Sequence, residues 1–260
     1  MMRNDFLARL RAGAPQTGLW QNLPGAAAAE IAAAAGFEWV LLDQEHAPRS
    51  LDALVAGQTA ARLHGAHPIV RTAGHDPHEI GRMLDAGFQT VLVPMVETGE
   101  QAAALARACD FAPAGVRGVS SQTRAGSWGT DTAYLREART EICLIAQIES
   151  VDGARDAERI FTTPGIDAVF IGAADLAATM GHLGQPGHPD VTRTIADLIA
   201  LAHHHGMPLG TLVKGAEAGQ SSFDAGFRFV GVGTDTAILA HAQRALRAQF
   251  PHIMRKADHD

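Results

Sequence analysis

Several short stretches of this chain place titratable and hydrogen-bonding side chains where apolar runs stop. In "LLDQEHAP", Leu41 and Leu42 are followed by Asp43, Gln44, Glu45 and His46. In "LIAQIES", Gln147 and Glu149 close an apolar run, and "VFIGAADLA" leads through a small-residue turn to Asp175. Arg71 ends the run "HPIVR". Such groups are costly to desolvate unless each has a partner, so they either form solvated turns or share a task. Singly, each has a plain reading: Arg71 pairs with a surface acid, and Asp175 caps the helix "LAATMG", a role Asp favours. Together they say more. If Glu149 and Asp175 close consecutive strands of one sheet, their carboxylates face one another, and like charges repel unless a cation or a proton lies between them. Two carboxylates with open water positions suit a hard divalent cation, Mg2+ or Mn2+. Such an ion would chelate a 2-oxo acid and stabilise, as a Lewis acid, the enolate left when a C3 proton departs. Arg71 would meet the same oxygen as charge develops.

These residues need a scaffold that gathers strand ends. Short apolar runs, "TGLW", "FEWVLLD", "HPIVRT", "QTVLVPM", "EICLIAQIE", "DAVFIG", "MPLGTLV" and "RFVGVG", recur along the chain. Segments of helical period lie between them, among them "SLDALVAGQTAARLHG", "TGEQAAALARACD" and "SVDGARDAERIFTT". Apolar strands alternating with helices argue for a parallel sheet covered on both faces. Eight such repeats in a chain of 260 residues predict a (β/α)8 TIM barrel, one domain over residues 1–260. Barrels keep their active sites at the C-terminal strand ends, which is where the polar groups fall. A doubly wound open sheet has less support, because no G-x-G-x-x-G follows the first strand. The Gly- and Ser-rich stretch "FAPAGVRGVSSQTRAGSWGTDTA" reads as a long irregular loop.

Composition narrows the classes of function. With 21 basic and 28 acidic residues the formal charge is -7, which argues against nucleic acid as a partner. No apolar run is long enough to span a membrane, and the N-terminal stretch has no signal-peptide core. Cys109 and Cys143 have no neighbour at metal-site spacing and read as buried thiols. The expectation is a soluble, cytoplasmic protein.

The segments "LLDQEHAP", "VRTAG", "LDAGFQTVLVPMVET", "GVRGVS", "AQIES" and "IGAADLAATMG", in this order, resemble the class II pyruvate aldolases of the HpcH/HpaI family, which include the 4-hydroxy-2-oxoheptanedioate and 2-dehydro-3-deoxyglucarate aldolases. The likeness runs from about residue 17 to residue 240. It implies a barrel of the phosphoenolpyruvate/pyruvate type, C-terminal helices swapped between subunits, and a homo-hexamer built as a trimer of dimers. It also implies a divalent metal (Mg2+ or Mn2+, with Co2+, Ni2+ or Zn2+ as further options) and cleavage of 4-hydroxy-2-oxo acids to pyruvate, or an analogue such as hydroxypyruvate, plus an aldehyde. Carried over residue by residue, Glu149 and Asp175 match the metal ligands, and Gln147 the group that helps hold pyruvate or a bound water. Arg71 matches the arginine on the keto or enolate oxygen, and His46 with Asp43 the proton-transfer dyad. The amides of Ala174 and Asp175 match those that receive the substrate carboxylate, as helix N-termini favour anions. Val119 and Leu212 match pocket walls near the aldehyde, and Asp85 an acid that reaches a neighbouring subunit's site. Ala173 and Ala177 stand where the family has Pro and Ser, and Gln44 where relatives often carry Gly.

Three other readings compete. A Schiff-base aldolase needs a desolvated lysine, and of the two lysines, Lys214 and Lys256, only Lys214 lies near a strand end. An acyl-CoA lyase on the same scaffold would want a basic groove, which this Lys-poor chain does not advertise. A non-catalytic barrel that binds metal and sugar acid would not need Asp43, His46 and Arg71. Two motifs invite over-reading: "HHH" at 203–205 suits a helix end before Gly206, and "GVGTD" at 231–235 is either a phosphate cradle or a turn capped by Thr234 or Asp235.

Overall fold

The structure, a computed structural model, describes residues 3–250. Eight strands close in sequence order: β1 Gln16–Gln21, β2 Trp39–Asp43, β3 His67–Arg71, β4 Thr90–Val93, β5 Cys143–Ile148, β6 Ala168–Ile171, β7 Leu209–Leu212 and β8 Phe229–Thr234. Every neighbouring pair is parallel, including β8 with β1. This is the expected (β/α)8 barrel, with each strand inside its anticipated run or extending it by a few residues.

Strand alternation sorts the core into two layers. Trp39, Leu41, Ile69, Leu92, Cys143, Ile145, Ala168, Phe170 and Phe229 fill the barrel interior. Their chain neighbours Val40, Leu42, Val70, Val91, Val93, Leu144, Ala146, Val169 and Val230 face the surrounding helices. Continuing the inward series toward the C-terminal ends reaches Asp43 after Leu41, Arg71 after Ile69, and Gln147 then Glu149 after Ile145. Thus the same period that builds the core delivers the polar groups to one mouth. The opposite mouth is plugged by the helix Asp5–Arg11, whose Phe6 meets Phe229 edge-on with ring centroids 5.4 Å apart. Asn4 caps that helix, and its side-chain amide donates to the carbonyls of Gln89 and Glu141.

Two helical segments differ from expectation. The stretch 151–161 is two helices, Val151–Arg155 and Ala157–Phe161, broken at Asp156 (φ -97°, ψ 12°). The break frees the Asp156 carboxylate to accept the Gly99 amide at 2.7 Å and so to anchor the next helix over. The last helix, Asp235–Ala248, has no buried residue, and Ile238, Leu239 and Leu246 are all about half exposed. The remaining long loop is irregular, as expected, with one 3-10 turn at Ser127–Gly129.

Inside the barrel, bulky side chains depend on glycines opposite them. A Cβ on Gly18 would lie 2.0 Å from the Trp39 indole. Gly18→Ala should therefore cost about 1–3 kcal/mol through overpacking, read as a thermal unfolding midpoint several degrees lower; an unchanged midpoint would show that the indole has room to move.

Candidate active site

Asp43 and Arg71 are directly paired positions of β2 and β3, so their side chains meet at the rim by register alone. Arg71 Nε and Nη2 donate to the two Asp43 oxygens at 2.8 and 2.7 Å, a bidentate bond in a fully buried setting. Trp20 Nε1 and Asn22 Nδ2 also donate to Asp43, and the Arg71 guanidinium lies 4.7 Å above the Trp20 ring. Burial alone would raise the Asp43 carboxyl, yet the bonds and charge of Arg71, with Trp20 and the His46 amide, hold it below the usual carboxylate range. Asp43 is therefore an anion, and its first task is to fix the plane of Arg71. The third guanidinium nitrogen, Nη1, pairs with Glu45 at 2.7 Å.

Glu149 follows β5 on the inward series and is buried. Its Oε1 accepts the Met95 amide at 2.9 Å, while Oε2 takes a short contact from the Gln147 side-chain amide. Burial, with the negative charges of Asp175 and Glu45, pushes its carboxyl up to about 7, against the two donors. Gly172 makes room for it, because a Cβ there would sit 2.4 Å from Glu149 Oε2 and 3.0 Å from Gln147 Nε2. Met95 holds φ +50° to deliver its amide, a left-handed conformation seldom seen outside glycine. Asp175 lies in the first turn of the helix Ala173–Thr179. That helix starts after Gly172 without a side-chain cap, so Asp175 is not its N-cap, and its exposed carboxylate has no hydrogen bond or ion pair among the described residues. The donor set fits a divalent cation: hard oxygens, one acid destabilised by burial and like charge, a second uncommitted, and beside them Gln147 Oε1, buried without a partner.

The other expected residues divide into two groups. His46 sits at this mouth with its imidazole exposed. Asp43 accepts the His46 backbone amide at 3.4 Å, not its ring, and the acid facing His46 Nε2 is Glu45, at 3.9 Å. The dyad as expected is thus indirect, because Arg71 already takes both oxygens of Asp43. Leu212 ends β7 and packs on the interior cluster, and Ala174 opens the helix that carries Asp175. Val119 and Asp85, by contrast, are not on strand ends at this mouth. Asp85 closes the helix Pro77–Asp85, and Val119 follows the helix Gly99–Cys109. Helices of a parallel barrel run back against the strands, so both residues lie toward the plugged end. There Asp85 binds Arg117 at 2.7 Å, and Val119 is 65% exposed.

Several features are structural. Arg117 is buried between Asp85, the Tyr134 hydroxyl and the Phe111 ring, and Arg124 is bound to Gln58, Ala86 and Thr59, so both are held by the protein's own groups. His203–His205 end a helix closed by Gly206 at φ +65°. Thr234 caps the last helix, and Asp235 accepts the amides of Asn22 and Leu23. Lys214 is exposed, which removes the desolvation a Schiff-base amine requires. Sequence reasoning misses Trp20, Asn22 and Met95, and it places Glu45 at the rim without a role of its own. Glu45 stood in plain view within "DQEHAP", but a main-chain donor such as Met95 leaves no mark on residue type.

Known proteins resemble this chain over most of its length. Residues 16–242 match the HpcH/HpaI aldolase/citrate lyase family. The chain is 46% identical over 247 residues to a pyruvate aldolase of Rhizobium etli, covering 95% of this chain and 97% of that one. It is 40% identical over 250 residues to a 4-hydroxy-2-oxo-heptane-1,7-dioate aldolase of Escherichia coli, covering 96% and 95% of the two chains. A crystal structure of a HpcH/HpaI aldolase/citrate lyase family protein from Burkholderia cenocepacia superposes with a TM-score of 0.91 at 36% identity, covering 95% of this chain and 98% of that one.

Because the Glu149 carboxyl is raised from 4.5 to about 7, the folded state keeps a proton that the unfolded chain has already released across that window. Stability of the EDTA-treated protein should fall as pH rises from 4.5 to 7, and Glu149→Gln should flatten that slope and be the more stable protein at pH 8. The penalty lifted is about 3 kcal/mol, at 1.36 kcal/mol per pKa unit. Chemical denaturation at pH 4.5, 6 and 8 measures it, and parallel pH profiles for both proteins would refute it.

Proposed function

This chain belongs to the HpcH/HpaI aldolase/citrate lyase family, and from that premise we propose that it is a divalent-metal-dependent aldolase. It would cleave 4-hydroxy-2-oxo acids to pyruvate, or a close analogue such as hydroxypyruvate, and an aldehyde. The observation that carries the proposal is the buried Glu149 carboxyl, raised to about 7 beside the uncommitted Asp175 at the mouth where Arg71 is already oriented. A divalent cation held by Glu149 and Asp175, Mg2+ or Mn2+ by its oxygen donors and Co2+, Ni2+ or Zn2+ as alternatives, supplies Lewis-acid polarisation of the bound 2-oxo acid.

The chain's own groups do the rest. Arg71 spends two N–H donors on Asp43 and one nitrogen on Glu45, which leaves donors of its fork for the substrate's 2-oxo oxygen. Its plane is fixed before substrate arrives, so it stabilises the enolate oxygen without reorganising. The amides at Ala174 and Asp175 face a substrate carboxylate at the start of their helix. In cleavage, His46 removes the proton from the C4 hydroxyl, the C3–C4 bond breaks toward the aldehyde, and the electron pair passes into the enolate that Arg71 meets. The Glu45 carboxylate faces the imidazolium that results. Returning that proton to C3 completes pyruvate.

The last helix supports an oligomer. Asp235–Ala248 buries no side chain and presents Ile238, Leu239 and Leu246 outward. Exchanging it between two subunits would cover that apolar face, and the exposed Val119, far from its own mouth, would be available to line a neighbour's. The proposed assembly is a cytoplasmic hexamer, a trimer of such dimers.

EDTA should abolish pyruvate release from a 4-hydroxy-2-oxo acid, and added Mg2+ or Mn2+ should restore it; turnover indifferent to EDTA would sink the metal assignment. Arg71→Lys should lower kcat by roughly 10²–10³-fold, and His46→Gln by roughly 10²–10⁴-fold. Mass photometry should give six times the 27.4 kDa chain, and Leu239→Asp should shift that distribution to smaller species.

A further inference from the structure

Away from the acids of the mouth, the described residues bring together one trio of metal-ligating side chains, His182, His188 and Asp190, with one ligand atom of each within 4.8 Å of the others. They lie in "GHLGQPGHPD", the turn that joins the helix Ala173–Thr179 to the helix Pro189–His205. Backbone bonds shape that turn. The His182 amide donates to the Ala177 carbonyl at 2.7 Å, and the His188 amide to the Gln185 carbonyl at 3.0 Å. Asp175 sits in the first turn of the earlier helix and the trio follows its last, so the two sets of ligands lie at opposite ends of an element about 10 Å long.

The spacing is that of ligands around an ion, not of hydrogen-bond partners. His182 Nε2 and His188 Nδ1 each stand 3.6 Å from the same oxygen, Asp190 Oδ2, which is too long for a hydrogen bond. Two donors bound at about 2.0–2.1 Å to a tetrahedral ion stand about 3.3–3.4 Å apart. The imidazoles are stacked with ring centroids 3.5 Å apart and planes 15° from parallel, so a small splay of the rings closes the shell. His188 Nδ1 accepts the Asp190 amide at 3.2 Å, so that nitrogen carries a lone pair and no proton. Arg193 pairs with the other oxygen, Oδ1, at 3.5 Å, which leaves Oδ2 to the rings. The side chains are 25%, 30% and 50% exposed, enough for an ion to enter from solvent and keep a water as its fourth ligand.

We propose that His182, His188 and Asp190 form a second metal site, for a borderline transition ion such as Zn2+, and that the ion fastens the turn behind the helix that carries Asp175. Two imidazoles and one carboxylate suit Zn2+ better than Mg2+ or Mn2+, whereas the oxygen donors of the mouth suit the hard ions. Leu176, Ala177 and Val191 already pack as a small buried cluster between the same two helices, so the ion locks a contact the chain makes by itself. This site does not depend on the reaction assigned to the mouth.

The test is Zn2+ uptake by the full chain, read by equilibrium dialysis and metal analysis with Mg2+ in excess. The double variant Glu149→Gln/Asp175→Asn, which removes the acids of the mouth, should still take up one Zn2+ per chain. Adding His182→Gln should abolish that uptake or weaken it more than about tenfold, and Asp190→Asn should do the same. In the wild-type background His182→Gln should bind one Zn2+ fewer. His182 is the residue to change because the His188 ring caps its helix, and equal thermal midpoints without metal would show that the variant folds. Zn2+ should raise the midpoint and slow amide exchange across residues 181–190 only where His182 is present. Zn2+ bound in equal number and strength with and without His182, or by neither protein, would overturn the site. Uptake that leaves exchange across 181–190 unchanged would overturn the fastening.

Discussion

In a closed parallel barrel, each strand residue faces either the helices or the axis, and the axis is dry along most of its length. That constraint governs this molecule. Through the middle of the barrel the inward series must be apolar, and here Trp39, Leu41, Ile145, Phe170 and Phe229 satisfy it. Only at the ends can the series turn polar. One end is sealed by Phe6, Leu7 and Leu10 of the first helix, which leaves the C-terminal mouth for Asp43, Arg71, Gln147 and Glu149.

Polar groups at the edge of a dry core carry a cost, and the site spends it unevenly. The Asp43–Arg71 pair is close to self-sufficient, with two hydrogen bonds between the partners and further donors from Trp20 and Asn22. A buried pair of this kind adds little net stability against an apolar alternative. Its value is geometric, since a guanidinium held on two sides and backed by an indole has one orientation. Glu149 is the reverse case. Its donors, Met95 and Gln147, do not offset burial and two nearby carboxylates, so the site carries an unmet demand for positive charge. One half of the site is finished and rigid, and the other is left open for what binds.

Much of this was legible in the residues. Short continuous apolar runs between helical segments marked the strands, and polar residues at the ends of "WVLLD", "HPIVR" and "LIAQIE" marked the mouth. Less legible were features that depend on three dimensions. Asp43 and His46 are three residues apart, and the resemblance pairs their side chains; the register of β2 with β3 gives Asp43 to Arg71 instead, so Glu45 is what the imidazole meets. Val119 follows a helix whose length and direction decide which end of the barrel it reaches. The kink at Asp156 answered to a carboxylate needed by the helix at Gly99, a contact between segments 57 residues apart.

The Met95 amide has a consequence for how this site can change. Main-chain N–H groups survive almost any substitution, so the support of Glu149 is indifferent to what side chain residue 95 carries, provided φ near +50° stays accessible. Strand-end side chains around the mouth can therefore drift or be redesigned for new aldehydes while the carboxylate keeps its hold. Evolvability of this kind comes from anchoring the invariant part of the chemistry in backbone and leaving the variable part to side chains.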